Sequence, residues 1–137
     1  MLDDRRLVKM ILESAQMLST AMHVAGVPGP YRKTHENHPC SVWVRQSSGN
    51  FHWLLKLMNM QCSEYTRRFG RIHKCEALLA VFAFYLPNLV QPMTPFVNCT
   101  TNHKHVPDVF EAYRREMRLK WTNDGDRARW HRRKRCR

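Results

Sequence analysis

Two short stretches hold residue types whose spacing suits chemistry. In VKMILESAQ, residues 8–16, Glu13 stands one helical turn from both Lys9 and Gln16. On a helix this sets a lone carboxylate among cations and amides on one wet face. Such a group can serve as a general acid or base, or can stabilise positive charge developing on a sugar. It can equally be an ordinary Lys9–Glu13 surface pair adding a few tenths of a kcal/mol. The second stretch is THENHPC, residues 34–40, which looks like half of a zinc-protease HExxH. That motif needs histidines at i and i+4 on one helix. Here His35 and His38 are three apart, and His38 precedes Pro39, a position biased out of the α region. Cys40, Cys62, Cys75, Cys99 and Cys136 form no C-x-x-C pair. No metal site and no cofactor are therefore expected, and Asn37 and His38 can cap a helix starting at Pro39.

Charge gives the strongest bulk constraint. The 137 residues hold 23 Lys and Arg against 11 acids, a net +12, which favours a polyanionic partner. Seven of the cations crowd into RARWHRRKRCR at 127–137, and taking them from +12 leaves +5 on residues 1–126. The expected division is thus a domain over 1–126 and a basic, disordered arm over 127–137, in which Arg132, Arg133, Lys134 and Arg135 contact phosphates without reading sequence. A solubilising or targeting tail fits the same composition. Within the domain, Arg5, Arg6, Arg45, Lys56 and Arg67 are the candidate phosphate contacts. Trp130, alone among the arginines of the arm, suits base stacking or simple exposure.

Five cysteines without framework spacing read as free thiols in a reducing compartment, so a cytoplasmic location is expected. Nothing at the N-terminus reads as a signal peptide, and the Asn98-Cys99-Thr100 sequon is taken as chance. The longest apolar run, 77–86, is half a bilayer crossing and stops at Pro87, so no membrane association is expected. Oligomeric state is not legible.

Helical periodicity positions these residues. Asp3 and Asp4 open a first helix that Gly26, Pro28 and Pro30 close, with Leu7, Ile11, Ala15, Leu18 and Met22 toward the core. Arg5, Arg6, Lys9, Glu13, Gln16, Thr20 and His23 fall on the wet side. A short helix follows Pro39, and a long one runs from about Phe51 to Phe69 with Gly70 as its C-cap. Its core stripe is Leu54, Met58, Cys62, Tyr65 and Phe69; its wet stripe is His52, Lys56, Asn59, Ser63 and Arg67. The next, around 73–85, is apolar nearly all round and belongs at the centre of the packing. After an irregular segment through Asn102, a last helix begins at Pro107. Val109, Phe110, Tyr113 and Met117 form its core side, and Arg114, Arg115 and Arg118 its basic side. Trp43, Trp53 and Tyr65 read as core aromatics. The expected fold is a single compact all-α domain of about five helices with a basic C-terminal arm.

The stretches DRRLVKMILESAQMLSTA, YRKTHENHPCSVWVRQSSGNFHWL, EYTRRFGRIHK and FEAYRREMRLKW resemble a family of small bacteriophage proteins. Its members read D-K-H-x-V-K-M-I-L-E-x-A-Q, N-H-P-C-x-x-W and E-Y-x-x-R-Y-G-K-x-H-K. The resemblance runs from Asp4 to Trp121, and the family is often labelled pyrimidine-dimer DNA glycosylase. The first-helix pattern is also similar to the phage glycosylase called endonuclease V, an all-α enzyme that cuts the glycosidic bond at thymine dimers. There an essential glutamate follows an aspartate by nine residues, as Glu13 follows Asp4, so the resemblance implies a catalytic Glu13. It also implies that THENHPC is a shared loop, with His35, Asn37 and His38 near the active face.

Endonuclease V attacks the sugar with its N-terminal amine, whereas a helix starting at Asp3 puts Met1 about 15–18 Å from Glu13. The arginines flanking its glutamate fall here on Leu12 and Gln16, and the family's histidine after the aspartate is replaced by Arg6. Hydrolysis assisted by Glu13 is therefore the simplest route, with Lys9 the candidate nucleophile of a covalent alternative. Two other functions suit the same residues. One is a non-catalytic nucleic-acid binder with a structural Glu13; the other is a phage accessory protein whose basic surface meets an acidic host protein.

Overall fold

The computed structural model describes residues 1–85 and 91–131. Five α-helices run through them: α1 (Asp4–Val24), α2 (Pro39–Gln46), α3 (Ser48–Phe69), α4 (Leu79–Tyr85) and α5 (Val109–Asp124). A 3₁₀ turn at Lys74–Leu78 leads into α4, and another at Gly125–Arg127 follows α5. No strand occurs among the described residues, and the fold is all-α.

α1, α2 and α3 form the core. Leu7, Ile11, Ala15, Leu18 and Met22 of α1 are all buried, as are Leu54, Met58, Cys62 and Tyr65 of α3, each set following the 3.6-residue period. Trp43 of α2 is buried with them, and Trp53 and Phe69 pack at the edge. Local chemistry sets the helix ends. The Ser47 side chain accepts a hydrogen bond from Asn50 N at 3.1 Å, capping α3. Gly70 closes that helix at φ 66°, a left-handed position that suits glycine. Arg68, near the end of α3, pairs with Asp4 at the start of α1 at 3.0 Å, so the two helices run antiparallel.

The irregular segment from residue 91 to 108 is tied down by side chains. Asn50, fully buried, donates to Trp43 O and Thr94 Oγ1, both at 2.7 Å, and accepts from Thr94 N at 2.9 Å. A Cβ at Gly49 would lie 2.7 Å from Gln91 O, so the close approach requires glycine there. Phe96 stacks on Trp43 with ring centroids 5.1 Å apart and meets Phe110 of α5 at the same centroid distance.

Two elements differ from expectation. The apolar stretch before residue 86 is not at the centre: Cys75 and Phe82 are buried, but Phe84 is 95% exposed and Val81 43%. α1 to α3 already fill the core, and a seven-residue helix behind a 3₁₀ turn offers them one edge only. In α5 the predicted core side is only partly covered: Val109 and Met117 are half-buried, Phe110 is 53% and Tyr113 38% exposed, and the fully buried residues are Ala112 and Glu116. α5 lies beside the irregular segment, and polar contacts hold it. Glu116 accepts from Asn102 N at 3.1 Å and pairs with His103 Nδ1 at 2.9 Å.

Residues 127–131 run against the start of α1. Asp4 N donates to Arg129 O at 2.8 Å, and His131 N donates to the Asp4 carboxylate at 2.9 Å. Trp130 meets Trp121 edge-on, with centroids 5.2 Å apart. Arg132, Arg133, Lys134 and Arg135 lie outside the described residues. No described helix is long and apolar enough to cross a membrane.

Candidate active site

The loop between α1 and α2 lies along α1 because polar residues of that helix hold it there. Ser19 Oγ accepts from Tyr31 N at 3.3 Å, and Thr20 Oγ1 accepts from Thr34 N at 3.2 Å while donating to Thr34 O at 3.1 Å. His23 Nε2 meets Tyr31 O at 2.8 Å. A Cβ at Gly29 would come within 2.7 Å of Ser19 O, so the backbones nearly touch. Thr20 and His23 were expected on the wet side of α1. Thr20 is instead fully buried and His23 half-buried, because the returning loop covers them.

This zipper brings THENHPC beside Glu13. A cleft of about 340 Å³ is lined by Met10, Glu13, Gln16 and Met17 on one side and by Thr34, His35, His38, Cys40 and Ser41 on the other. Lys9 borders it through an ion pair to Glu13 at 3.2 Å, and both side chains remain accessible to solvent. His35 sits at φ 45°, the left-handed region that non-glycine residues seldom adopt. His38 N donates to His35 O at 3.0 Å, closing a tight turn. His38 Nδ1 in turn accepts from Cys40 N at 3.2 Å and caps α2. The capping bond makes Nδ1 the acceptor, which leaves Nε2 to carry the proton of the neutral ring.

The candidate phosphate contacts lie outside the cleft lining. Arg5 is exposed on the same stripe of α1 as Lys9 and Glu13. Arg6 turns the other way, to Asp3 at 3.0 Å and Asp124 at 2.7 Å. Arg45 Nη1 donates to Glu36 O, holding the loop from its far side. Lys56 is exposed on α3, and Arg67 is held by both oxygens of Glu64 at 2.7 and 2.6 Å.

Two features were missed from the sequence. Arg68, with a side chain only 1% exposed, joins Asp4 to Glu64, at 3.0 and 2.6 Å. Its position on α3, one place past the wet stripe, was the available signal. Burial pulls Glu64 up, but hydrogen bonds from Arg67 and Arg68 outweigh it and hold the carboxyl at about 2. The second is a cluster of His38, Cys40 and Cys99 at the rim of the cleft, whose ligating atoms all lie within 4.8 Å of one another. Cys40 and Cys99 are 59 positions apart, and only tertiary folding places their sulfurs 3.1 Å from each other. Burial, with Cys99 adjoining, pushes the Cys40 thiol up to about 12, so it is no nucleophile near neutral pH.

Residues 1–77 match the family described as pyrimidine dimer DNA glycosylase. No curated protein and no solved structure matches the chain. The matched span contains α1, the zippered loop, α2, α3 and every residue that lines the cleft. With more than half of its length matched, the chain belongs to the pyrimidine dimer DNA glycosylase family.

Proposed function

We propose that the protein is a DNA glycosylase that removes damaged or modified pyrimidines from duplex DNA, with Glu13 as its principal catalytic group. The observation that carries this reading is the placement of Glu13 in a cleft shared with His35 and His38, within the family-matched span. The Glu13 carboxylate stabilises positive charge on the sugar as the glycosidic bond breaks, and takes a proton from the attacking water. His35, across the cleft, hands a proton to the departing base. His38 holds the loop in register by capping α2. Lys9 keeps Glu13 oriented, and in a covalent variant its amine would form the bond to the sugar, leaving an imine that allows strand cleavage. Arg5 and Lys56 hold phosphates, joined by Arg6, Arg45 and Arg67 where DNA draws them from their present partners, and by Arg132, Arg133, Lys134 and Arg135 of the arm. The target nucleotide leaves the stack to reach the cleft.

The test is cleavage of end-labelled duplex DNA carrying a thymine dimer, an abasic site or no lesion, by wild-type and Glu13→Gln protein, with half of each reaction treated with alkali. Alkali-revealed breaks at the lesion, reduced at least about a hundredfold in Glu13→Gln with binding kept, are the expected result. The Lys9–Glu13 ion pair, an ordinary solvated pair by geometry, favours a second reading as a non-catalytic DNA binder. Salt-sensitive binding by both proteins with no breaks from either would establish that reading instead.

A further inference from the structure

We propose that His38, Cys40 and Cys99 form a binding site for a single zinc ion that staples the irregular segment to the cleft-lining loop. The three ligating atoms lie within 4.8 Å of one another and come from two separate parts of the chain. The donor set, one imidazole and two thiolates, is the nitrogen and sulfur chemistry that Zn²⁺ prefers, and two thiolates neutralise its charge. Zn–S bonds of about 2.3 Å in a tetrahedron place sulfurs about 3.8 Å apart. The Cys40 and Cys99 sulfurs, now 3.1 Å apart, need only open by a fraction of an ångström. Binding releases both thiol protons to solvent and takes the His38 Nδ1 lone pair from its cap to Cys40 N while Nε2 keeps its proton, and a water molecule completes the tetrahedron.

The local architecture favours such a staple. His38 and Cys40 flank Pro39 at the first turn of α2, which fixes their relative positions. Cys99 sits in a long segment without secondary structure, where a cross-link restrains the most chain. Tyr113 of α5 already steadies this point: its hydroxyl accepts from Cys99 N at 3.2 Å and donates to Val97 O at 3.4 Å. The proposal does not depend on the glycosylase reading, because its readouts are metal content and spectroscopy.

The full-length protein, purified under reducing conditions, is assayed for bound metal by mass spectrometry and titrated with Co²⁺. One zinc per chain is expected, and the cobalt form is expected to show sulfur-to-metal charge-transfer and tetrahedral d–d absorption. Both signals are expected to vanish in Cys40→Ser and Cys99→Ser and to weaken in His38→Asn, whose exposed side chain can change without disturbing packing. They are expected to persist in Cys136→Ser. Metal-free protein with a Cys40–Cys99 disulfide in non-reducing peptide maps would overturn the proposal in favour of a redox pair. So would zinc binding that survives all three ligand substitutions, or no binding at all.

Discussion

Glu13 and His35 face each other across the cleft with different degrees of freedom. Glu13 rides on the middle of a 21-residue helix whose opposite face is fully buried, so its position is fixed by packing. His35 is held by backbone geometry at φ 45°, where a side chain with a branched Cβ is most strained. His35→Gly is therefore expected to leave thermal stability unchanged or raised by up to about 1 kcal/mol, while lowering base excision. His35→Val is expected to cost about 1–2 kcal/mol. Paired thermal unfolding and alkali-cleavage assays check both. A fall in stability for the glycine variant would mean that the ring itself supports the turn. Nothing in THENHPC announces the left-handed residue, because histidine adopts that conformation only where its surroundings require it.

At the level of elements, what was legible depended on how local the causes were. The stripes of α1 and α3, the Gly70 cap and the start of α2 all follow from residues within about two turns of one another. The zipper was not legible, since Thr20 and His23 look like wet-face residues until the loop returns over them, and Ser19 falls on neither stripe. In α5 the predicted core side is only partly covered, and the fully buried anchor that the periodicity did not show is Glu116, bonded to Asn102 and His103. Glu116→Ala is expected to cost about 1–3 kcal/mol by leaving those donors unpaired. It should also loosen the segment near Cys99 while α1 and α3 stay intact. Asn50→Ala, which strips three hydrogen bonds from a fully buried group, is expected to cost about 2–3 kcal/mol. Denaturant unfolding with unchanged m-values checks both.

For the whole molecule, acid response follows from groups whose ionisation is tied to the fold. Burial holds His73 below its ordinary 6.5, so its contribution is complete above 6.5 and declines as pH falls through that value toward its folded pKa. Glu64, held at about 2, contributes fully above 4.5 and loses that contribution as pH falls from 4.5 toward about 2. Asp4 acts in the same direction, since bonds from His131 and Arg68 outweigh the upward pull of burial. A melting temperature scanned against pH should thus show a shallow decline below 6.5 and a steep one below 4.5. In Glu64→Gln the steep step is expected to shrink. The net charge of +12 was plain from composition, but its partition was not: Arg6, Arg68 and Arg45 have internal partners, whereas Arg5, Arg32, Lys56, Arg71, Lys74 and Lys104 are among the exposed cations of the folded domain.

The zipper of the loop onto α1 means that both walls of the cleft come from residues 10–41, one contiguous piece of chain. Contacts so short in sequence survive when distant parts of a protein open. Native-state hydrogen exchange should then find α5 and the segment before it opening as one unit, at lower free energy than α1 and α3. The amides of Thr34 and Tyr31 should exchange with the first helix. The last third of the chain in this sense supports the cleft without lining it, and the family match, which ends at residue 77, covers every lining residue.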